Sequence, residues 1–401
     1  MRSSPSSTIE RGLSTSRGDN ANPFIRYRWL LDSYRKALRA GWSDERFVEL
    51  VENLNTAVSE IDGKGFSITP LTREQRLGAA LGLEASLWVK DDTGNVGSSH
   101  KARHLFGTML HLAVDENSRG ELAIASCGNA ALAAAVVAKA ARRPLRVFVP
   151  TWADREIVAA LKDLDARVVV SKRTSSTVGD PTVAEMQIAV HEGATPFSVQ
   201  GPFTETALDG GRTIGWELAE QLALARVDGT ISLFVQVGGG ALAASIWRGL
   251  NDGIREQWLS ADPVLNTVQT EASAPLNRAW RLLREETEDR EVQAENARAN
   301  PGKYMWAWEH VGASKASGIL DDVTYDWLPV VEAMLASGGF PHVIPESLVE
   351  AGHRLAREET EIAADYTATA GLAALLDPAI VESLSASSHV VVFFTGRQRS
   401  N

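Results

Sequence analysis

Four short segments carry side chains that could do chemistry, each where a β-rich run gives way to a loop or helix. The first is Asn95-Val96-Gly97-Ser98-Ser99-His100-Lys101, followed by the helical pattern ARHLFGTMLHLAV. Lys101 therefore falls in the first turn of a helix, where the macrodipole disfavours a cation. Buried there, a lysine gives up its proton readily and becomes a nucleophile toward a carbonyl carbon. Left exposed, it is an ordinary surface lysine. His100 beside it is a structural ring, a proton relay or an aromatic wall.

The second segment, Ser126-Cys127-Gly128-Asn129, opens an alanine-rich helical run. Ser126, Asn129 and the first helical N–H groups could bind a carboxylate or a phenolic oxygen, or the two side chains could simply cap the helix. Cys127 reads as a small buried hydrophobe rather than a nucleophile, since no base can be placed beside it. Third, Gly238-Gly239-Gly240-Ala241-Leu242-Ala243 follows SLFVQV and leads into another helical pattern. Glycines let the backbone approach a ligand and a helix start offers free N–H groups, which makes an anion site, most simply for a phosphate. The alternative is that these glycines serve only tight helix–strand packing. Gly238, Gly240 and Ala243 also fit the dinucleotide pattern G-x-G-x-x-A, with an acidic strand end at Glu271 further on. Fourth, HVVVFF ends in Thr395-Gly396-Arg397, so a hydroxyl at a strand end either faces a ligand ring or merely stops the strand.

These segments need elements to hold them. From about residue 86 the chain alternates short β-rich runs with amphipathic stretches. The expected strands are 86–90, 121–126, 145–150, 166–171, 195–200, 232–237, 267–272 and 389–395. Helical patterns lie at 129–141, 153–163, 181–192, 204–226 and 241–258, and residues 23–60 read as helical ahead of the first strand. Continuously apolar strands separated by helices belong to parallel sheets covered on both faces. Right-handed crossovers then bring the loops after the strands to one rim, where a ligand would sit.

Composition sets the class. The 401 residues allow two or three domains at roughly 100–200 residues each. Forty Lys+Arg against fifty-one Asp+Glu give a formal charge of −11, which argues against a nucleic acid or an anionic membrane as partner. One cysteine rules out an internal disulfide and, in practice, a cysteine zinc cage, so no metal is expected. No apolar run is long enough to span a bilayer. The balance is that of a soluble, cytoplasmic protein. The serine-rich stretch 1–21 cannot bury enough surface to order itself and is expected to be a disordered tail. The charged stretch 284–303 reads as a solvated helix or loop.

Taken in order, the four segments resemble the fold-type II pyridoxal-phosphate (PLP) enzymes, the tryptophan synthase β family. The family's N-P-T-G-S-F-K stretch is similar to Asn95–Lys101, its S-[ST]-G-N turn to Ser126–Asn129, and its G-G-G-G-L loop to Gly238–Leu242. Thr69-Pro70-Leu71, LDGGRTIGWELAEQL at 208–222 and VVFFTG near the end resemble threonine synthase and threonine dehydratase in particular. His100 stands where most relatives have Phe, as in the tryptophan synthase β chain, and Ala241 replaces a fourth glycine. Tyr366–Gly371 departs from the E-P-S/T-G-A-like segment, which leaves the cofactor assignment intact and the substrate open.

The resemblance implies a fold of two three-layer α/β/α domains with mostly parallel sheets and PLP in the cleft between them. Residues 22–95 would form a helical extension and the first strands of the large domain, 96–215 the smaller domain and 216–401 the rest of the large one. Lys101 would hold PLP as a Schiff base and act as the catalytic base. Gly238, Gly239, Gly240 and Ala241 would hold the phosphate, Asn129 the ring hydroxyl, and Thr395 would face the ring nitrogen. Ser99, Ser126, Cys127 and Gly128 would take the substrate carboxylate. A neutral hydroxyl at that nitrogen makes the ring a weaker electron sink, which suits proton loss at Cα followed by departure of a β group. The leading expectation is a dehydratase acting on a β-hydroxy amino acid such as threonine or serine, as a homodimer. A threonine synthase-like replacement enzyme is the alternative, with Lys315, Ser314 and Ser317 as the only candidate pocket for a substrate phosphate. The tryptophans and Tyr366 could line a wide pocket for a bulkier substrate. A nicotinamide dehydrogenase using Gly238–Ala243 would leave Lys101 and Ser126–Asn129 without a role.

Overall fold

A computed structural model describes residues 20–115, 118–173 and 179–398; most of the expected tail at 1–21 lies outside them. Among the described residues ten strands follow one another: β1 (Leu71–Arg73), β2 (Ser86–Asp91), β3 (Leu122–Ala125), β4 (Leu145–Pro150), β5 (Arg167–Ser171), β6 (Thr195–Pro196), β7 (Gly229–Gln236), β8 (Ala261–Thr270), β9 (Pro341–Ile344) and β10 (His389–Phe394). They form a six-stranded sheet ordered β1-β2-β10-β7-β8-β9 and a four-stranded sheet ordered β5-β4-β3-β6. All pairs are parallel except β1 with β2, as continuously apolar strands between helices require.

The differences from the sequence reading have local causes. Residues 195–200 pair with β3 only over Thr195–Pro196, because the Ser198 N–H turns to the Thr204 hydroxyl at 2.9 Å and the chain leaves the ladder. The expected 267–272 strand begins earlier, at Ala261, and stops at Thr270. β9 was not expected: it is a four-residue edge strand opening on Pro341, which carries little signal. The 23–60 stretch is helical as expected, in the pieces Pro23–Arg26, Asp32–Arg39 and Asp44–Asp62, the last restarted by the Ser43 hydroxyl accepting from the Arg46 N–H at 3.2 Å. The charged stretch at 284–303 contains the helix Arg290–Ala299, which Asp289 caps and which buries only Gln293 and Ala297.

Two helices set the height of the site. Lys101–Val114 packs on Ala207–Leu224 so closely that a Cβ on Gly210 would lie 2.1 Å from the Arg103 carbonyl oxygen. Glycine is required there, which explains part of LDGG at 208–211. The N-terminal helices lie against the same pair. Phe24 meets Phe106 and Phe66 at ring centroid distances of 4.7 and 5.2 Å, and Arg26 is paired with Glu220 at 2.8 Å. No helix among the described residues is long and apolar enough to cross a membrane.

Candidate active site

After β2 the chain turns through Asp92–Asn95, and Gly97 and Ser98 take φ values of +63° and +53°. This left-handed pair turns the backbone back on itself, with the Gly97 N–H held by the Asp62 carboxylate at 3.0 Å. Ser99 then pairs antiparallel with Gly396. The His100 N–H donates to the Thr395 carbonyl at 3.1 Å and the Arg397 N–H to the Ser98 carbonyl at 3.0 Å. The lysine segment is thus laced to the end of β10, and half-buried Lys101 opens its helix beside Thr395. Ser99 is buried, and its hydroxyl has no partner.

Two histidines flank the lysine, their rings edge-on at 5.6 Å. Burial, then the charge of Lys101, holds His100 well below the usual histidine range. Burial takes His104 down to about 4, against the pull of the Ala207 carbonyl 2.9 Å from its Nδ1. Both rings are therefore neutral near pH 7, and that contact makes His104 Nδ1 the protonated nitrogen.

The glycine loop follows β7 and heads the helix Ala241–Arg255, whose N-terminus no side chain caps. Gly240 has φ +96°, a left-handed value that an L side chain adopts only under strain. A Cβ on Gly238 would sit 2.3 Å from Asp321 Oδ2 and 2.9 Å from Ile319 Cα. The Gly239 N–H is directed at the Asp321 carboxylate, which burial raises to about 6 against the pull of Lys101. The Gly239 carbonyl accepts from the Asp326 N–H at 2.7 Å. The cradle is therefore a bare backbone turn under the loop 319–326.

Ser126–Asn129 follow β3 and are half-buried. The Ser126 hydroxyl accepts from the Gly128 N–H at 3.5 Å, and no side chain caps the helix that starts after Gly128. Burial, reinforced by Asp180, pushes the Cys127 thiol up, so it is no thiolate nucleophile. Lys101 and Asp321 both act on that thiol, and Lys101 acts on Asp321. Lys101, Cys127 and Asp321 thus lie within range of one another's charge.

Thr395 is buried and accepts a hydrogen bond from Gln236 Nε2 at 2.7 Å. Two of the residues around the cleft were not singled out from sequence. Gln236 had a signal, a polar side chain inside LFVQV. Asp321 had none, because nothing local ties residue 321 to a glycine loop about eighty positions earlier.

Other expectations are corrected. Lys315 Nζ lies 2.6 Å from Glu350 and its backbone N–H is taken by Glu346 at 2.8 Å, while Ser314 accepts from the Ala316 N–H at 3.1 Å. The proposed phosphate pocket is thus already neutralised. Four of the eleven tryptophans are engaged with other partners. Trp216 is buried on Asp252 at 2.9 Å and, with Trp258, packs against Tyr27. Trp306 and Trp308 stack on Arg278 at 3.8 and 5.0 Å. Tyr366 stacks on His353 with centroids 3.8 Å apart.

This arrangement defines a class. The chain belongs to the pyridoxal-phosphate dependent enzyme family, whose sequence profile matches residues 64–396. Its cofactor is pyridoxal 5′-phosphate. The residues fit that group: a lysine at the rim, a glycine turn heading an uncapped helix for the phosphate, and a buried hydroxyl with a proton to give. A search of curated proteins gave no match. Among solved structures the chain is similar to a threonine deaminase of T.th., at 21% identity and TM-score 0.64, over 88% of this chain and 99% of that one. Serine racemase from Dictyostelium discoideum is similar at 17% and 0.62, over 88% and 99%. Diaminopropionate ammonia lyase from Escherichia coli is similar at 17% and 0.63, over 86% and 88%. These likenesses show the fold.

Proposed function

We propose that the protein is a PLP-dependent lyase that removes the β-hydroxyl and the amino group of a threonine- or serine-type amino acid, leaving a 2-oxo acid and ammonia. When bound, PLP supplies the electron sink for the bonds at the substrate Cα. Lys101 would hold the cofactor through Nζ and, once free of it, would take the Cα proton. Neutral His100 and His104 add no second cation beside it. The Gly238–Ala241 backbone and the helix behind it hold the phosphate, and Asn129 bonds the ring hydroxyl. Ser99, Ser126, Cys127 and Gly128 receive the substrate carboxylate; the partnerless Ser99 hydroxyl and the uncapped helix start supply the donors. Thr395 donates to the ring nitrogen.

The observation that favours elimination over replacement is the Lys315–Glu350 pair, in which the one basic group put forward for a substrate phosphate is held by a carboxylate. The similar structures include threonine deaminases and a serine ammonia-lyase and also an O-ureido-L-serine synthase. The test is a panel of threonine, serine, phenylserine, O-phosphohomoserine and O-acetylserine, scored for oxo acid, ammonia, phosphate and D-amino acid. Oxo acid and ammonia in equal amounts are expected from threonine or serine, and neither from Lys101→Ala. Phosphate release without oxo acid would replace this reading with the synthase one. The same reading carries a homodimer in the cytoplasm, which sedimentation and fractionation check.

A further inference from the structure

In the strand run Leu233-Phe234-Val235-Gln236-Val237 one side chain is polar, and it is buried at 3% exposure. Gln236 Nε2 faces three acceptors: the Phe393 carbonyl at 3.0 Å, the Ala368 carbonyl at 3.2 Å and Thr395 Oγ1 at 2.7 Å. The reversed amide would press Oε1 against two carbonyl oxygens, so the nitrogen end is fixed toward them. Of its two protons, one serves the carbonyls and the other goes to Thr395.

A hydroxyl has one proton and two lone pairs. With one lone pair filled by Gln236, and the Thr395 carbonyl already accepting from the His100 N–H, Thr395 turns outward a hydroxyl whose proton is still to be given. An acceptor that takes this proton must have a lone pair free. A protonated ring nitrogen would instead need Thr395 to accept twice and would strand the hydroxyl proton.

We propose that Gln236 is a positioning residue that fixes the Thr395 hydroxyl as a donor, so that the cofactor ring nitrogen is held unprotonated. This rests on the placement of Thr395 proposed above. It deepens that reading, because an unprotonated ring stores charge poorly. Departure of the β-hydroxyl is then favoured over return of a proton to Cα, and so lyase over racemase chemistry. The amide also ties together β7, the end of β10 and, through Ala368, the divergent segment Tyr366–Gly371. A change in that segment can therefore reach the ring without touching it.

The test uses the full chain as wild type, Gln236→Leu, Thr395→Val and the double variant, each loaded with PLP carrying 15N in the ring. Borohydride fixation on Lys101 comes first; without a Lys101 adduct the functional reading fails, and this inference is not the cause. With the adduct in place, the wild-type ring nitrogen is expected to show the shift of an unprotonated, hydrogen-bonded pyridine from about pH 6 to 9. Thr395→Val loses the hydrogen-bonded component. Gln236→Leu, with the hydroxyl free to turn, gives a pH-dependent shift, and PLP affinity falls about three- to tenfold. The double variant binds PLP no worse than Thr395→Val alone, because the two residues act through one bond. A protonated wild-type nitrogen overturns the proposal, as does a Gln236→Leu spectrum identical to wild type. If Gln236→Leu fails to fold, Thr395→Val and the wild type decide, since Thr395→Val leaves the carbonyl bonds of Gln236 in place.

Discussion

Two polar regions lie on either side of the first turns of the Lys101 helix, and they are built on opposite terms. Behind it, Lys90, Arg103, Glu217 and Asp92 are buried together, two cations against two anions. Glu217 takes Arg103 at 2.5 Å and Lys90 at 2.7 Å, and Arg103 reaches Asp92 at 3.1 Å. Thr69, Thr213 and Gln221 take further bonds, and of the cluster's charged groups Arg103 leaves one nitrogen, Nε, without a partner. In front of it, Ser99 Oγ, His100 Nδ1 and Gln236 Oε1 are buried without partners. An unmatched buried polar atom costs about 1–3 kcal/mol, so such atoms persist where a ligand or a reaction uses the region. The paired cluster fixes the helix, and the unmatched rim is what the helix is fixed for.

Removing one member of the cluster tests this most severely. Glu217→Ala leaves Lys90 and Arg103 facing each other without a counter-charge, a loss of about 3–5 kcal/mol by chemical denaturation. Lys101→Ala, two residues from Arg103, should leave the denaturation midpoint nearly unchanged while abolishing oxo acid formation and the borohydride adduct. The comparison breaks if Lys101→Ala unfolds the protein or Glu217→Ala does not. Burial works against the Glu217 charge, but Arg103 and Lys90 outweigh it and hold the carboxyl below its ordinary value. Its stabilisation is therefore complete above the unfolded pKa near ~4.3 and is lost as pH falls through the folded one.

Acids on the cleft side behave the other way. Burial raises Asp326 to about 7, although the Gly201 N–H favours its charge. A carboxyl raised in the folded state destabilises the fold as pH climbs from the unfolded value near ~3.9 through the folded one. Wild type should lose about 1–3 kcal/mol more than Asp326→Asn between pH ~5 and ~8. Parallel pH profiles for the two proteins would remove Asp326 from the contrast.

At the loop itself, Gly240→Ala places a side chain at φ +96° and 3.1 Å from Thr324 Cγ2. A stability loss of about 1–2 kcal/mol is expected, with weaker PLP binding measured by titration of the apoenzyme. If stability falls but PLP affinity does not, the glycines serve packing and not the phosphate.

The two regions were not equally legible. Ser126–Asn129, Gly238–Ala241 and Thr395 could be singled out because each follows a strand within a few residues, and Lys101 because it opens the helix ten positions after β2. The parallel strands were legible as continuous apolar runs. The ion cluster was not read, since Lys90 and Glu217 are 127 positions apart and each looks like any surface charge. Asp321 was hidden in the same way. β9 was missed because four residues starting with proline have no periodicity to detect. Sequence thus favours groups placed by local turns over groups placed by packing.

Lys315 gives the smallest expected effect and the finest cut. Half-exposed and paired with Glu350 across open solvent, it belongs to neither region: it is not locked into a buried network, and its charge is not held for a ligand. Surface pairs of this kind contribute little to stability, so Lys315→Ala should melt with wild type and keep the KM for threonine or serine. The informative substrate is O-phosphohomoserine. If Glu350 swings away and Lys315 takes the phosphate, KM for that compound alone rises in Lys315→Ala, and the rim then serves replacement rather than elimination. An unchanged KM across the panel leaves the reaction to the residues laced between β10 and the Lys101 helix.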